Sequence, residues 1–194
     1  MCSSDLSLAL LPAADDALAA IAPPPSPPRV VDVGTGAGLP GMVLAVARPG
    51  WSVVLLDSLR KRCDFLERAA AHAGIPNVSV VWARAEDAGR AQAHRDFYDL
   101  ATARAVAETR VLAELCLPFV RPGGSWLAAK GAGPQAEVAA AARAIKALGG
   151  EGARIHLVDS FAPDGQRTAV TMRKVAPTPA RYPRPAGTPS KQPL

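Results

Sequence analysis

The sequence predicts an α/β fold built on a doubly wound, mostly parallel sheet of seven strands. Three observations carry this prediction. From Arg29 onward, short valine-rich runs alternate with longer stretches whose alanines and leucines recur at helical spacing. A glycine-rich turn, "DVGTGAGLPG" (Asp32 to Gly41), follows the first apolar run directly, where open parallel sheets bind their ligands. The length of 194 residues suffices for one core burying roughly two-thirds of the unfolded surface, and is too short for two ordinary domains.

Taken in order, "RVVDVG" is the first strand and "LPGMVLAVA" the helix after it. "WSVVLLD" is the second strand; "SLRKRCDFLERAAAHAG" is its helix, with Leu59, Cys63, Leu66 and Ala70 on one face. "VSVVWA" makes the third strand, and a polar connection from Arg84 to Arg95 leads to the fourth, "YDLATA". The helix "AETRVLAELCLPFV", the strand "GSWLAAKG" and the helix "QAEVAAAARAIKALGG" follow. The last two strands, "ARIHLVDSF" and "TAVTMRKV", are joined only by the turn-rich "APDGQ" (Ala162 to Gln166). A parallel pair needs a crossover of a dozen or more residues, so these two either pair antiparallel or lie apart with another strand between them.

Prolines collect at both ends, in "APPPSPP" (Ala22 to Pro28) and after Ala176. The expected organisation is therefore a helix and proline-rich linker over 1–28, the sheet domain over 29–175 and a basic, proline-rich tail over 176–194. Beyond Asp164 there is no acidic residue, while Arg167, Arg173, Lys174, Arg181, Arg184 and Lys191 follow. In a chain of net charge +5, such a one-sided end points either to a polyanionic partner such as nucleic acid or to a solvated tail. Cys2, Cys63 and Cys116 form an odd count without close pairing, which argues against a disulfide framework and for a reducing cytoplasm. His72, His94 and His156 show no ligand spacing with them, so no metal site is expected. "LSLALLPAA" is apolar but lacks a basic n-region, the first basic residue being Arg29, and no run is long enough to span a bilayer.

The glycine turn is the most informative stretch. Glycine is required where the backbone takes positive φ and a ligand approaches without a Cβ in the way. Gly36, Gly38 and Gly41 satisfy G-x-G-x-x-G, so the pattern alone admits a dinucleotide. Asp32 at the mouth of the turn speaks against pyrophosphate, which needs amide donors and a positive helix end. The same carboxylate suits the ammonium and sulfonium of S-adenosylmethionine, and D-x-G-x-G-x-G (Asp32 to Gly38) is the form typical of methyltransferases. Asp57, closing the second strand, is expected to accept hydrogen bonds from a ribose, which both cofactors carry. The Y-x-x-x-K pair of a short-chain dehydrogenase is missing: Tyr98 and Tyr182 are followed four residues on by Thr102 and Ala186.

The acceptor is narrowed by what the other loops lack. After the fourth strand the chain reads "ATARAVAE" (Ala101 to Glu108) rather than the D/N-P-P-Y loop that serves exocyclic amines. Cys116 lies in an apolar helical pattern, as Cys63 does, and both read as core residues rather than as the nucleophile for a pyrimidine C5. An acceptor with its own lone pair, such as guanine N7, needs positioning and electrostatics alone. Arg104, at the end of the fourth strand, is either a contact to cofactor or base or a surface ion-pair partner.

These residues resemble the small-subunit rRNA methyltransferase G family from about Ser7 to Leu194. The resemblance is carried by "VVDVGTGAGLPGMVLAVARP", "LLDSLRKRCDFLE", "RAED", "TARAVA", "LAAKG", the "DGQRTAV" turn and the ending "RYPRPAGTPSKQPL". It implies a Rossmann-like methyltransferase sheet with an antiparallel last strand, and methyl transfer from S-adenosylmethionine to N7 of a guanine in the 530 loop of 16S rRNA. It further implies cofactor contacts at Gly34 and Leu39 in the turn, where Gly36 is also expected to border the cofactor, at Ala85 and Glu86 after the third strand, and at Arg104. Lys130, Arg181, Tyr182, Arg184 and Lys191 are the expected RNA contacts, on 16S rRNA or the 30S subunit, in a monomeric protein. Family members carry a further N-terminal helical segment before the stretch that matches "DLSLALLP" (Asp5 to Pro12), so 1–28 reads as the remnant of that segment. Its shortness leaves a second reading open, a catalytically weak S-adenosylmethionine- and RNA-binding module; a nicotinamide-dependent oxidoreductase is the third.

Overall fold

The computed structural model describes residues 3–24, 26–104, 107–163 and 165–194. Cys2, Pro25 of the proline-rich linker, Ala105 and Val106 of the "ATARAVAE" connection, and Asp164 of the final turn lie outside the described residues. The strands β1 (Arg29–Val33), β2 (Ser52–Asp57), β3 (Val78–Trp82), β4 (Tyr98–Ala103), β5 (Val120–Lys130), β6 (Gly150–Ala162) and β7 (Gly165–Lys174) form one sheet in the order β3-β2-β1-β4-β5-β7-β6. β1 pairs in parallel with β2 and β4, β2 with β3, and β4 with β5. β7 runs antiparallel between β5 and β6, with Ala162 opposite Gly165. Of the two arrangements open to the final strands, direct antiparallel pairing is realised, because so short a connection reaches only a neighbouring strand.

Side chains alternate across the sheet with period two and divide the apolar residues between two cores. Val30, Leu55, Leu100 and Leu127 face one cluster, whereas Val31, Leu56, Ala101 and Ala128 face the other. The helices α3 (Gly41–Ala47) and α4 (Arg60–His72) cover the first cluster through Leu44 and Leu66. They are joined there by α1 (Ser3–Ala9) and α2 (Leu11–Ala19), which with their flanks bury Leu10, Ala14, Leu18 and Ile21. Helices α6 (Thr109–Cys116) and α7 (Gln135–Ala147) cover the second through Leu112, Val138 and Ile145. Cys63 and Cys116 are buried in these helices, as their spacing predicts. A single turn, α5 (Ala85–Ala88), interrupts the polar connection after β3, and α8 (Thr188–Lys191) lies near the C-terminus. Among the described residues no helix is long and apolar enough to cross a membrane.

Residues 176–194 do not form a solvated tail. Tyr182 is 8 % exposed within the second cluster, and Leu194 packs against the same cluster. A proline-rich strap has no ladder in which to satisfy its carbonyls. Arg90 donates to the Pro183 carbonyl at 2.7 Å, and Arg95 to that of Tyr182 at 2.9 Å. Where the strap leaves β7, the fully buried Lys174 ammonium donates to the carbonyls of Leu117 (2.6 Å) and Val120 (3.0 Å), to the Thr178 hydroxyl (2.8 Å) and to Asp96 (3.2 Å).

Burial lowers the Lys174 pKa from 10.5 to about 8, against the opposing pull of Asp96. The unfolded chain then binds more protons than the folded one between those values, so this group adds stability as the pH rises from 8 to 10.5. Lys174→Met strands the carbonyls and hydroxyl that the ammonium serves, and is expected to cost about 3 kcal/mol at pH 7 in denaturant unfolding. The difference between variant and wild type widens towards pH 10.

Candidate active site

The sheet order places β1 beside β4, and the chain leaves β1 for α3 on one face and β4 for α6 on the other, the switch point at whose carboxyl end open sheets have their crevice. Gly34 follows β1, Asp57 ends β2, Ala85 and Glu86 open α5 after β3, and Arg104 follows β4. Four strand ends thus bring the expected cofactor residues to one edge of the sheet.

The turn begins with Gly34, Gly36 and Gly38 at φ of +72°, +62° and +93°. A Cβ built on Gly34 meets nothing within 4 Å, and one on Gly36 meets only the Gly34 carbonyl at 4.0 Å. These two therefore present bare backbone to open space, a cradle that any side chain would fill. Gly38 and Gly41 serve packing instead. A Cβ on Gly38 comes within 2.9 Å of Leu66, and one on Gly41 within 2.8 Å of Asp32. Leu39 is half-buried, its amide closing the turn onto the Thr35 carbonyl at 3.1 Å.

Two carboxylates fix the turn from beneath. Asp32 has 0 % exposure; its Oδ2 accepts from the Thr35 hydroxyl (2.6 Å) and the Gly41 amide (2.8 Å). Its Oδ1 has no hydrogen-bond partner among the described residues. The sequence places this carboxylate at the mouth of the turn, ready for an ammonium; the structure puts it under the turn, because the tight approach of Gly41 closes over it. Burial pushes Asp32 up to about 6, opposed by the Thr35 and Gly41 hydrogen bonds and by the positive charge of Arg104.

Asp57, 3 % exposed, accepts from the Gly36 amide at 3.0 Å and the Leu59 amide at 2.9 Å, with Arg62 at 3.3 Å. The acceptor expected to meet a ribose therefore holds the turn and the start of α4. Glu86 is half-buried and accepts the Gly187 amide of the strap at 3.0 Å. Ala85 is half-buried at the start of α5, and Arg104 is likewise half-buried. Cys116 is fully buried, and burial pushes its thiol far above the ordinary value, so it presents no thiolate nucleophile.

The expected RNA contacts divide. Arg181 and Lys191 are exposed. Lys130 is 8 % exposed and donates to Glu137 (2.7 Å) and the Ala107 carbonyl (3.2 Å). Arg184 grips the fully buried Glu114 through Nε at 2.9 Å and Nη2 at 2.6 Å, and Tyr182 is in the core. In the structure these last three carry structural contacts, and the fully buried Glu114 demands the cation that Arg184 supplies.

A basic surface that the sequence reading passed over lies beside the turn instead. Arg60, Lys61 and Arg62 are exposed in the first turn of α4, the helix end that disfavours cations. Trp82, 56 % exposed at the end of the edge strand β3, is fixed by its indole N–H on the Ser58 carbonyl at 3.1 Å, with the Arg60 guanidinium 5.0 Å from its ring. Arg84 is exposed two residues on. The available signal was three consecutive cations opening a helix, next to a tryptophan ending a strand.

Residues 16–164 match the model of the family described as rRNA small subunit methyltransferase G. The chain is 52 % identical over 171 residues to the ribosomal RNA small subunit methyltransferase G of Symbiobacterium thermophilum, covering 86 % of this chain and 70 % of that one. It is 43 % identical over 170 residues to the protein of the same name from Moorella thermoacetica, covering 88 % and 71 %. Among solved structures it resembles an rRNA methylase from Streptococcus thermophilus (TM-score 0.59, 15 % identity, 84 % of this chain and 95 % of that one). It also resembles a variant of the 16S rRNA (adenine(1408)-N(1))-methyltransferase from Catenulisporales acidiphilia, solved with its cosubstrate SAM (TM-score 0.62, 19 % identity, 85 % and 91 %). At such identities the structures share the fold.

Because the folded-state pKa of Asp32 lies above its ordinary 3.8, ionising this group costs stability as the pH rises through about 6. Asp32→Asn keeps an acceptor for Gly41 and Thr35 and removes the buried charge. Thermal melts are expected to show the variant roughly 2–4 °C more stable at pH 8, corresponding to about 1 kcal/mol, with the difference gone at pH 4.

Proposed function

The chain belongs to the rRNA small subunit methyltransferase G family, and on that premise we propose that it methylates N7 of a guanine in the 530 loop of 16S rRNA, as a cytoplasmic monomer meeting free rRNA or the 30S subunit. S-adenosylmethionine is its cofactor. The observation that carries the reading is the open cradle at Gly34 and Gly36, held by two carboxylates at the strand ends. Backbone without Cβ atoms lets a nucleoside and an amino-acid moiety approach closely, and the positive φ angles are free of strain only for glycine.

S-adenosylmethionine supplies an electrophilic methyl group on a sulfonium. Guanine N7 offers its own lone pair, so the chain has no proton to remove before attack and its residues work by placement. Asp57 and Asp32 fix the turn; Ala85 and Glu86 border the crevice on the β3 side; Arg104 lies on the β4 side, where its charge acts on the site and on Asp32. The negative pair beneath the turn favours a cationic ligand over a pyrophosphate, which also argues against a nicotinamide cofactor.

For the RNA, Arg60, Lys61, Arg62 and Arg84 around Trp82 supply cations for phosphates and an exposed indole for stacking on an unpaired base. Arg181 and Lys191 extend the basic surface along the strap.

Transfer of tritiated methyl groups to 30S subunits lacking the modification, followed by borohydride–aniline scission, tests both the activity and its position. Cleavage within the 530 loop is the expected result. Incorporation without scission sinks the N7 assignment, scission outside the loop sinks the position, and S-adenosylhomocysteine binding without incorporation favours the binding-module reading. Gly36→Ala places a methyl group in the cradle at positive φ and is expected to weaken S-adenosylhomocysteine in calorimetry at least tenfold, while the strain lowers stability by about 1–2 kcal/mol. In RNA binding across a salt series, Lys61→Ala should reduce the magnitude of the log-affinity slope by roughly 0.7–0.9. Trp82→Ala should leave that slope unchanged and lose about 1–3 kcal/mol of affinity.

A further inference from the structure

We propose that the strap is a working part of the cofactor site, with Glu114 and Arg184 as positioning residues that set the Ala85–Glu86 wall from a distance. The inference rests on the cofactor reading above. α5, which carries that wall, has four residues, too few to persist as a helix on its own. The strap brackets it at both ends. At its start, the Glu86 carboxylate accepts the Gly187 amide at 3.0 Å. At its end, Gly89 lies against Pro183, where an added Cβ would stand 3.3 Å from the proline Cγ, and Arg90 donates to the Pro183 carbonyl at 2.7 Å.

One ion pair fixes the strap between these two contacts. Glu114, on α6 and without exposure, accepts the Arg184 amide at 2.8 Å and the guanidinium at 2.9, 3.1 and 2.6 Å. Arg184 lies one residue after Pro183 and three before Gly187, so the pair sets both ends of the bracket at once. A group that contacts α5 on one side and a ligand that contacts it on the other are thermodynamically linked: strap docking strengthens cofactor binding, and the cofactor strengthens strap docking by the same factor.

Two measurements on the full chain test the coupling. In calorimetry, Arg184→Ala and Glu114→Gln are expected to weaken S-adenosylhomocysteine at least tenfold. Asp99→Asn is the control for a general loss of stability. It disturbs an equally buried carboxylate paired with Arg29 and Arg121, which lies at the start of β4 rather than at the carboxyl edge. This variant should melt earlier and bind within twofold of wild type. Limited trypsin digestion reads the reciprocal effect without any variant. Saturating S-adenosylhomocysteine should slow cleavage of the wild type after Arg181 and Lys191, both exposed, at least fivefold, and this measurement stands even where Glu114→Gln does not fold. Wild type that binds the ligand with no slowing of cleavage, or Arg184→Ala that binds as tightly as wild type, overturns the proposal and leaves the cofactor reading intact. Wild type that binds no S-adenosylhomocysteine removes the cofactor reading and the strap proposal together.

Discussion

A carboxylate with no access to water holds the glycine turn in place, and the site is organised around that constraint. Asp32 gives one oxygen to the Thr35 hydroxyl and the Gly41 amide, which ties the end of β1 to the start of α3. Asp57 does the same from β2, through the amides of Gly36 and Leu59. The turn between them is thereby fixed with its bare glycines outward. The arrangement runs against stability, since burial outweighs the Thr35 and Gly41 hydrogen bonds and the charge of Arg104 and leaves Asp32 at about 6. A charge retained in such a place serves the geometry above it better than it serves the fold.

Positive charge is divided with equal consistency. Arginines and lysines that are buried or half-buried answer carboxylates or carbonyls: Arg29 and Arg121 on Asp99, Arg184 on Glu114, Lys130 on Glu137, Lys174 on four acceptors. Those at the surface beside the crevice, Arg60 paired with Asp64 and Arg62 with Asp57 among them, gather where a helix end would sooner carry acids. A cation in a structurally unfavourable place is better evidence of a polyanionic partner than the excess of basic residues near the C-terminus, two of which, Lys174 and Arg184, the fold itself consumes.

The fold was largely legible in the sequence because its signals are local. Short valine-rich runs such as Val30–Val33 and helical spacing from Leu59 to Ala70 declare their elements, and the brevity of the connection after Ala162 restricts the last pair to one hairpin. The position of the site was legible for the same reason, glycine at positive φ being a local demand. What escaped were facts of burial and pairing between distant residues. Nothing local distinguishes Arg184, which meets a carboxylate 70 residues away, from Arg181, which stays in solvent. Asp57 reads as a ribose acceptor, and only the fold shows that it holds the Gly36 amide; Lys130 reads as an RNA contact, and only the fold shows Glu137 beside it from the next helix.

The hydrogen bond between Glu86 and Gly187 spans 101 residues. Contacts of such separation close the longest loops, and their entropy is repaid only after nearer parts have formed. The β1–β4 half of the sheet is complete in sequence by Ala103, whereas the support for α5 arrives with the strap, after β7. In chain order, then, the strands that carry the glycine turn come early and the support for α5 comes late. A chain with the sheet formed and the strap undocked would have native secondary structure in nearly every strand and an unsupported α5, so on the strap proposal an intact sheet is not yet a complete cofactor site.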